Sequence, residues 1–280
     1  MHEICVTNAG SGTVSVISDS SNSVVVTIDL NTSHGGQYII YDSGKGEMFV
    51  NNYASGIVSV ISDSTNQVVA TIPLGTNPDP VGLIYDSGKG EVFVAYESLP
   101  SDKPANFMSV ISDSKNSVIA TVPLGSNIAS SLGAYDPATR ELYMPDPNND
   151  SVLVISDRTN SIVDSIPVGM IPIGVGYDPL KGVLFVSDGV TATRIVSDKT
   201  NSIIETVPIL SVVMVYDSGR SEMLDLGNGA IQFVSDSSLP SESSTPAVPE
   251  LPWLAVIPLF VAMLSVSVIL RHRKTANLKQ

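Results

Sequence analysis

Cysteine occurs once in 280 residues, tryptophan once and histidine three times. A single thiol, Cys5, excludes an intrachain disulfide and a cysteine metal cluster, and it reads as a buried, inert side chain. His2, His34 and His272 fall at the N-terminus, in a loop and in a basic tail, which argues against a histidine metal or copper centre. Basic residues number 14 against 28 acidic ones. A chain so acidic repels phosphates, and nucleic acid is excluded as a partner class. No window within the first 236 residues keeps a helical period. The Gly-Lys-Gly turns at Gly44–Gly46 and Gly88–Gly90 lack the long loop and following Ser/Thr of a phosphate-binding loop. Serine is abundant, but there is no nucleophile-elbow motif and little histidine to act as base. The expectation is a protein that is not an enzyme and needs no cofactor.

What the chain does have is a repeat. Tyr-Asp recurs at Tyr41-Asp42, Tyr85-Asp86, Tyr135-Asp136, Tyr177-Asp178 and Tyr216-Asp217. Ser-Asp closes an apolar run at Asp19, Asp63, Asp113, Asp157, Asp198 and Asp236, with Asn three residues later in the first five copies. The spacing of about 40–50 residues is that of propellers and related arrays. Each unit holds short Val- and Ile-rich runs bounded by Gly, Asn, Asp, Ser or Pro, the signature of strands and turns. In the clearest copy, residues 81–124, the strands are a (Val81–Tyr85), b (Glu91–Ala95), c (Met108–Ser112) and d (Val118–Leu124). Pro73, Pro123, Pro167 and Pro208 recur near the end of d, which suits an outer edge strand because proline cannot donate to a ladder.

The fold expected is therefore all-β: a β-propeller of about six four-stranded blades over residues 1–236. Four units are complete (37–74, 81–124, 132–168 and 174–209). The first (1–30) lacks strand a, and the last (211–236) lacks d. Twenty-two strands follow, one short at each end. The start reads as truncated from a larger propeller. The alternative is a native start, with the missing inner strand contributed by the C-terminal end of the propeller. The insertion 97–106 is expected as a proline-restricted surface loop.

The run Cys5-Val6-Thr7-Asn8, followed by GSGTVSVISDSSNSVVVTI, resembles the YVTN-type propeller repeat of archaeal and bacterial surface proteins; Phe49-Val50-Asn51-Asn52 and Phe185-Val186-Ser187-Asp188 are looser copies. The resemblance covers residues 1 to about 236. It implies a propeller, of surface-layer type, outside the cytoplasm, and no particular reaction.

Residues 237–252 form a Ser/Pro-rich linker. Leu254–Leu270 then runs seventeen residues without a charge, between Trp253 and Arg271-His272-Arg273-Lys274. This predicts a transmembrane helix over 253–271 and a basic cytoplasmic tail over 272–280, with the propeller outside the cell membrane. Pro249-Glu250-Leu251-Pro252 resembles the Pro-Glu-Phe sorting signal of archaeal surface proteins, with Leu251 in place of Phe. The resemblance implies processing by a membrane transpeptidase.

If strand a runs down the channel, the b–c and d–a loops share one face, and the a–b and c–d turns share the other. The variable loop face carries the candidate binding residues Asn51, Asn52, Tyr53, Tyr96, Asp146 and Asn148, with Thr76–Pro80 beside them. The Ser-Asp-x-x-Asn stretches read as tight turns rather than calcium loops. No metal ligands are assigned. Asn31 and Asn149 begin glycosylation patterns in loops. The function expected is a membrane-anchored cell-surface module that binds protein or glycan partners or serves envelope structure. The alternative is a propeller enzyme, a lactonase-like hydrolase or quinoprotein-like oxidoreductase, using channel carboxylates.

Overall fold

A computed structural model describes residues 2–208, apart from 19, 33–35, 37, 76–77, 99–104, 126–132, 170 and 189–190, and the backbone of 213–217, 222–227, 230–235 and 268–272 beyond them. The chain is all-β, a propeller-like arrangement of six antiparallel, blade-like sheets. Sheet I contains β1 (His2–Asn8), β2 (Thr13–Ser18) and β3 (Ser23–Asp29). Sheet II runs β4 (Ile39–Asp42), β5 (Glu47–Asn52), β6 (Ile57–Ser62) and β7 (Gln67–Pro73). Sheet III runs β8 (Pro78–Asp86), β9 (Glu91–Ser98), β10 (Ala105–Ser112) and β11 (Ser117–Gly125). Sheet IV runs β12 (Ala134–Asp136), β13 (Glu141–Asp146), β14 (Ser151–Ser156) and β15 (Ser161–Pro167). Sheet V runs β16 (Gly174–Asp178), β17 (Val183–Ser187), β18 (Thr193–Ser197) and β19 (Ser202–Val207). Sheet VI has β20 (Val213–Asp217), β21 (Glu222–Gly227) and β22 (Ala230–Ser235). A last strand, β23 (Val268–His272), pairs antiparallel with β1.

These are the a–d units expected from the repeat, with two extensions. The b–c hairpin of sheet III continues past its expected ends, pairing Glu97 with Asn106 and Ser98 with Ala105. Strand β8 starts at Pro78, so Pro78–Pro80 belong to a strand and not to a loop. Of the expected surface loop, residues 99–104 lie outside the described residues.

At the C-terminus the structure describes 268–272 alone; the rest of the expected span and tail lies outside the described residues. Residues 268–272 were expected to end a membrane helix and begin its tail. Instead they form β23, which gives sheet I the inner strand that its repeat lacks. An apolar run containing Val268 and Ile269 satisfies a strand as readily as a helix, and hydropathy alone does not separate the two. Among the described residues no helix is long and apolar enough to cross a membrane.

The core lies between consecutive sheets. Cys5, Val14, Val16 and Ile28 of sheet I pack with Ile39, Met48, Val50 and Ile61 of sheet II. Phe49, Val58, Val60 and Ile72 of sheet II pack with Leu83, Val92, Val94 and Ile111 of sheet III. Phe93, Met108 and Val110 continue the series to Leu142, Met144 and Ile155 of sheet IV. Tyr143, Val152 and Val154 then meet Leu184, Val186 and Val196 of sheet V. A sheet packed on both faces buries both alternating sets of side chains, so β17 (VLFVS) is buried throughout.

The outer strands are the exception, with Val25, Val69, Ile119, Val163 and Ile204 exposed at equivalent places. Each of these outer pairs carries a register shift at the same point, as between Val16 and Ile17 and between Val60 and Ile61. Such irregularities twist an edge away from further pairing.

Candidate functional site

Four of the six candidate binding residues face inward. Asn51 is fully buried; its Oδ1 accepts from the Tyr38 backbone N–H at 2.6 Å and its Nδ2 donates to the Pro80 carbonyl at 2.7 Å, tying sheet II to sheet III. Asn52 is equally buried and donates through Nδ2 to Ser59 Oγ at 2.9 Å and to the Val50 and Ile57 carbonyls. Asp146 is buried and accepts from Asn149, from Nδ2 at 2.7 Å and from the backbone N–H at 3.3 Å. Tyr96 is buried, with its ring stacked on Phe107 at 5.9 Å between centroids. Tyr53, on the single 3₁₀ turn described (Tyr53–Ser55), and Asn148 are exposed.

The reason is the place these polar residues occupy. Asn8, Asn52, Asp146 and Asp188 all sit at the end of strand b and fasten the b–c turn. Asn8 Nδ2 donates to Thr13 Oγ1 and Ser15 Oγ. Asp188 accepts from the Thr191 and Ala192 N–H groups, the Thr191 hydroxyl and the Arg194 guanidinium. Asn8, the last residue of the Cys5-Val6-Thr7-Asn8 run, is thus a turn-holder. Asn31 and Asn149 are both exposed. The motif at 249–252 lies outside the described residues.

The opposite face holds an arrangement that sequence reasoning missed. Strands β4, β8, β12 and β16 each end in Asp, and that carboxylate closes the a–b turn. Asp42 Oδ1 accepts from the N–H groups of Gly44 (2.8 Å) and Lys45 (3.1 Å); Asp86, Asp136 and Asp178 repeat the motif. The preceding Tyr reaches further. Tyr85 of sheet III donates to Asp42 of sheet II at 2.6 Å. Tyr135 donates to Asp157 of its own sheet and stands beside Asp86 of sheet III, and Tyr177 donates to Asp198 and stands beside Asp136 of sheet IV. Tyr41, Tyr135 and Tyr177 reach the c–d aspartates Asp63, Asp157 and Asp198 at 2.8, 3.0 and 3.0 Å. The two landmarks of the repeat, Tyr-Asp and Ser-Asp, therefore meet at the joints between sheets. Burial, followed by these carboxylates, drives the Tyr85, Tyr135 and Tyr177 phenols far above their ordinary value, so they remain donors at all physiological pH.

Lysines complete the clasp: Lys45 donates to the Asp113 carbonyl at 2.6 Å and Lys89 to that of Asp157, each spanning from one sheet to the next. The Ser-Asp-x-x-Asn turns are structural as expected. Asn22, Asn66, Asn116, Asn160 and Asn201 adopt φ of 48–56°.

The glycine before strand b has a steric reason as well. Gly90 has φ of +67°, and a Cβ there would sit 2.5 Å from Asp113 Oδ2. Gly90→Ala should cost about 1–3 kcal/mol, read as a lowered denaturation midpoint. Gly10→Ala, in open space at ordinary φ, should stay within about 0.5 kcal/mol of the parent. Arg140 takes the equivalent place in sheet IV at φ of 65°, and its Nε donates to Asp157 at 3.1 Å.

Among the described residues no group of three His, Cys, Asp or Glu side chains is placed to hold a metal ion. No family model and no curated protein matches the chain. Solved structures do share its fold. A functionally unknown protein from Desulfotomaculum acetoxidans superposes with a TM-score of 0.67 at 14% identity, over 83% of this chain and 78% of that one. A protein of unknown function from Bacteroides caccae gives 0.58 at 12%, over 74% and 72%. Hydrazine synthase from Kuenenia stuttgartiensis gives 0.55 at 15%, over 74% of this chain and 58% of that one. At 12–15% identity the likeness is one of fold alone.

Proposed function

We propose that this chain is an extracytoplasmic propeller of six blades that binds a protein or glycan partner, or a neighbouring envelope component, through its loop face. The observation that carries the reading is the contrast between the two faces. The turn face is consumed by repeated tyrosine, aspartate and lysine bonds, whereas the loop face keeps Tyr53 and Asn148 exposed on turns fastened from beneath. An exposed aromatic on a rigid scaffold is a recognition element with little ordering cost. The YVTN-like repeats and the exposed Asn31 and Asn149 agree with a surface location. Against the enzyme alternative, the strand-a aspartates Asp42, Asp86, Asp136 and Asp178 each commit Oδ1 to closing an a–b turn.

Attachment to the membrane belongs to the apolar stretch after the linker. A span over 253–271 with the tail in the cytoplasm uses that whole stretch and leaves sheet I with three strands. The pairing of β23 with β1 favours a second arrangement, in which the ring keeps 268–272. Residues 253–267 alone then fall short of the roughly 20 needed to cross.

Binding to isolated cell-envelope fragments tests the function. The double substitution Tyr53→Ala with Asn148→Ala should weaken co-sedimentation about tenfold, the order expected for losing one hot-spot aromatic, with an unchanged denaturation midpoint. Undiminished binding would contradict the assignment to this face.

A further inference from the structure

The joints between sheets bring carboxyls of neighbouring sheets together largely out of water. Asp42 stands beside Asp113 across the II–III joint, and Asp86 beside Asp157 across the III–IV joint. The buried oxygens Asp42 Oδ2, Asp86 Oδ2 and Asp157 Oδ1 have no donor among the other groups around them, although all three residues are fully buried. We propose that these joints are proton-sharing clasps, each holding one proton between two carboxyls of adjacent sheets, so that the packing of sheet on sheet is linked to acid.

The surroundings set which partner takes the proton. At the III–IV joint, burial raises Asp86 above the ordinary carboxylate range, with the Asp157 charge adding to it, against the neighbouring Tyr135 hydroxyl and hydrogen bonds from the Gly88 and Lys89 N–H groups. Burial also presses Asp157 upward, but Arg140, Tyr135, Asp86 and Lys89 outweigh it and hold it low. Asp86 is thus the acid and Asp157 the carboxylate. At the II–III joint, burial and then Asp42 raise Asp113, against Lys45 and the Ser114 N–H. Tyr85 and the Lys45–Glu47 ion pair complete that site. Glu91, paired with Lys89 and raised by burial, stands beside Asp86, Asp113 and Asp157.

The sign of the linkage follows. Asp86 and Asp113 bind protons more tightly folded than unfolded. Their contribution is whole below the ordinary carboxylate value and is lost as pH rises through their raised folded values. Asp157 contributes oppositely, losing its part as pH falls through its lowered value.

The test is the denaturation midpoint of the full chain between about pH 4 and about pH 7, for the parent and for Asp86→Asn with Asp113→Asn. Asparagine keeps the Oδ1 acceptor and places an amide donor where the proton would be. The parent midpoint should fall as pH rises, and the double variant should lose at least half of that fall while becoming more stable at neutral pH. An unchanged slope overturns the proposal. So does a rise in the parent midpoint at neutral pH on adding calcium chloride, because a cation would then sit between the carboxyls. Should the variant not fold, infrared spectra of the parent decide. A protonated-carboxyl band persisting at neutral pH and vanishing on unfolding is expected, and its absence overturns the clasp.

Discussion

Truncating Phe93 to alanine should lower the unfolding free energy by about 3–5 kcal/mol. Phe93 is completely buried on β9 and points from sheet III into the cluster completed by Leu142, Met144 and Ile155 of sheet IV. The loss combines the transfer of a ring to water with the cavity left between two sheets, each held in place by its own ladder. Chemical denaturation reads the effect. The comparison is Val25→Ala on the outer strand, half exposed, which should stay within about 0.5 kcal/mol. If the two substitutions cost the same, the stability of the chain does not reside between its sheets.

Asp136→Ala should cost about 2–4 kcal/mol, the sum of several buried donors losing their acceptor. The Asp136 carboxylate is fully buried and accepts from the Ala138 N–H at 2.7 Å and the Thr139 hydroxyl at 2.8 Å. The Tyr177 hydroxyl of the next sheet, which donates to Asp198, stands beside it. The substitution opens a turn and a joint at once. Asp136→Asn retains the Oδ1 acceptor and should recover at least half of the loss. A loss of under about 0.5 kcal/mol for the alanine variant, the level of an ordinary surface change, would mean that the joints are ornaments on packing that suffices without them.

The strands were legible because the repeat supplies its own punctuation. Val/Ile runs, left-handed Asn turns and edge prolines recur in register, and twenty-two strands follow from them. The polar residues at strand ends were not. Asn51 and Asn52 look like loop-face donors in the sequence, because a b–c loop is normally wet. Here β5 (EMFVNN) lies between two neighbouring sheets and has no solvent face, so alternation does not separate exposed from buried positions. The meeting of Tyr135 with Asp86 and Asp157 was hidden for a related reason. The motifs Tyr-Asp and Ser-Asp were visible as turn markers, but their juxtaposition depends on how one sheet stacks on the next, which periodicity along the chain does not encode. A signal was present all the same: the Tyr and both Asp positions recur together in five of the six units.

The strand β23 shows the limit from the other side. A hydropathy window over 254–270 responds to apolar content and carries no information about pairing. What pointed to an inner strand was the deficit in sheet I.

Cys5 makes the arrangement directly testable, because it is the only cysteine and stands opposite Ile269 in the β1–β23 ladder. The decisive measurement is oxidative cross-linking of Ile269→Cys in the full chain, isolated from membranes without detergent denaturation. A rapid intrachain bond between positions 5 and 269, found by peptide mass analysis and absent after unfolding, is the result expected of a ring completed by its own C-terminal strand. No bond, together with a chain that resists alkaline extraction from the membrane, would contradict it and place 253–271 across the bilayer.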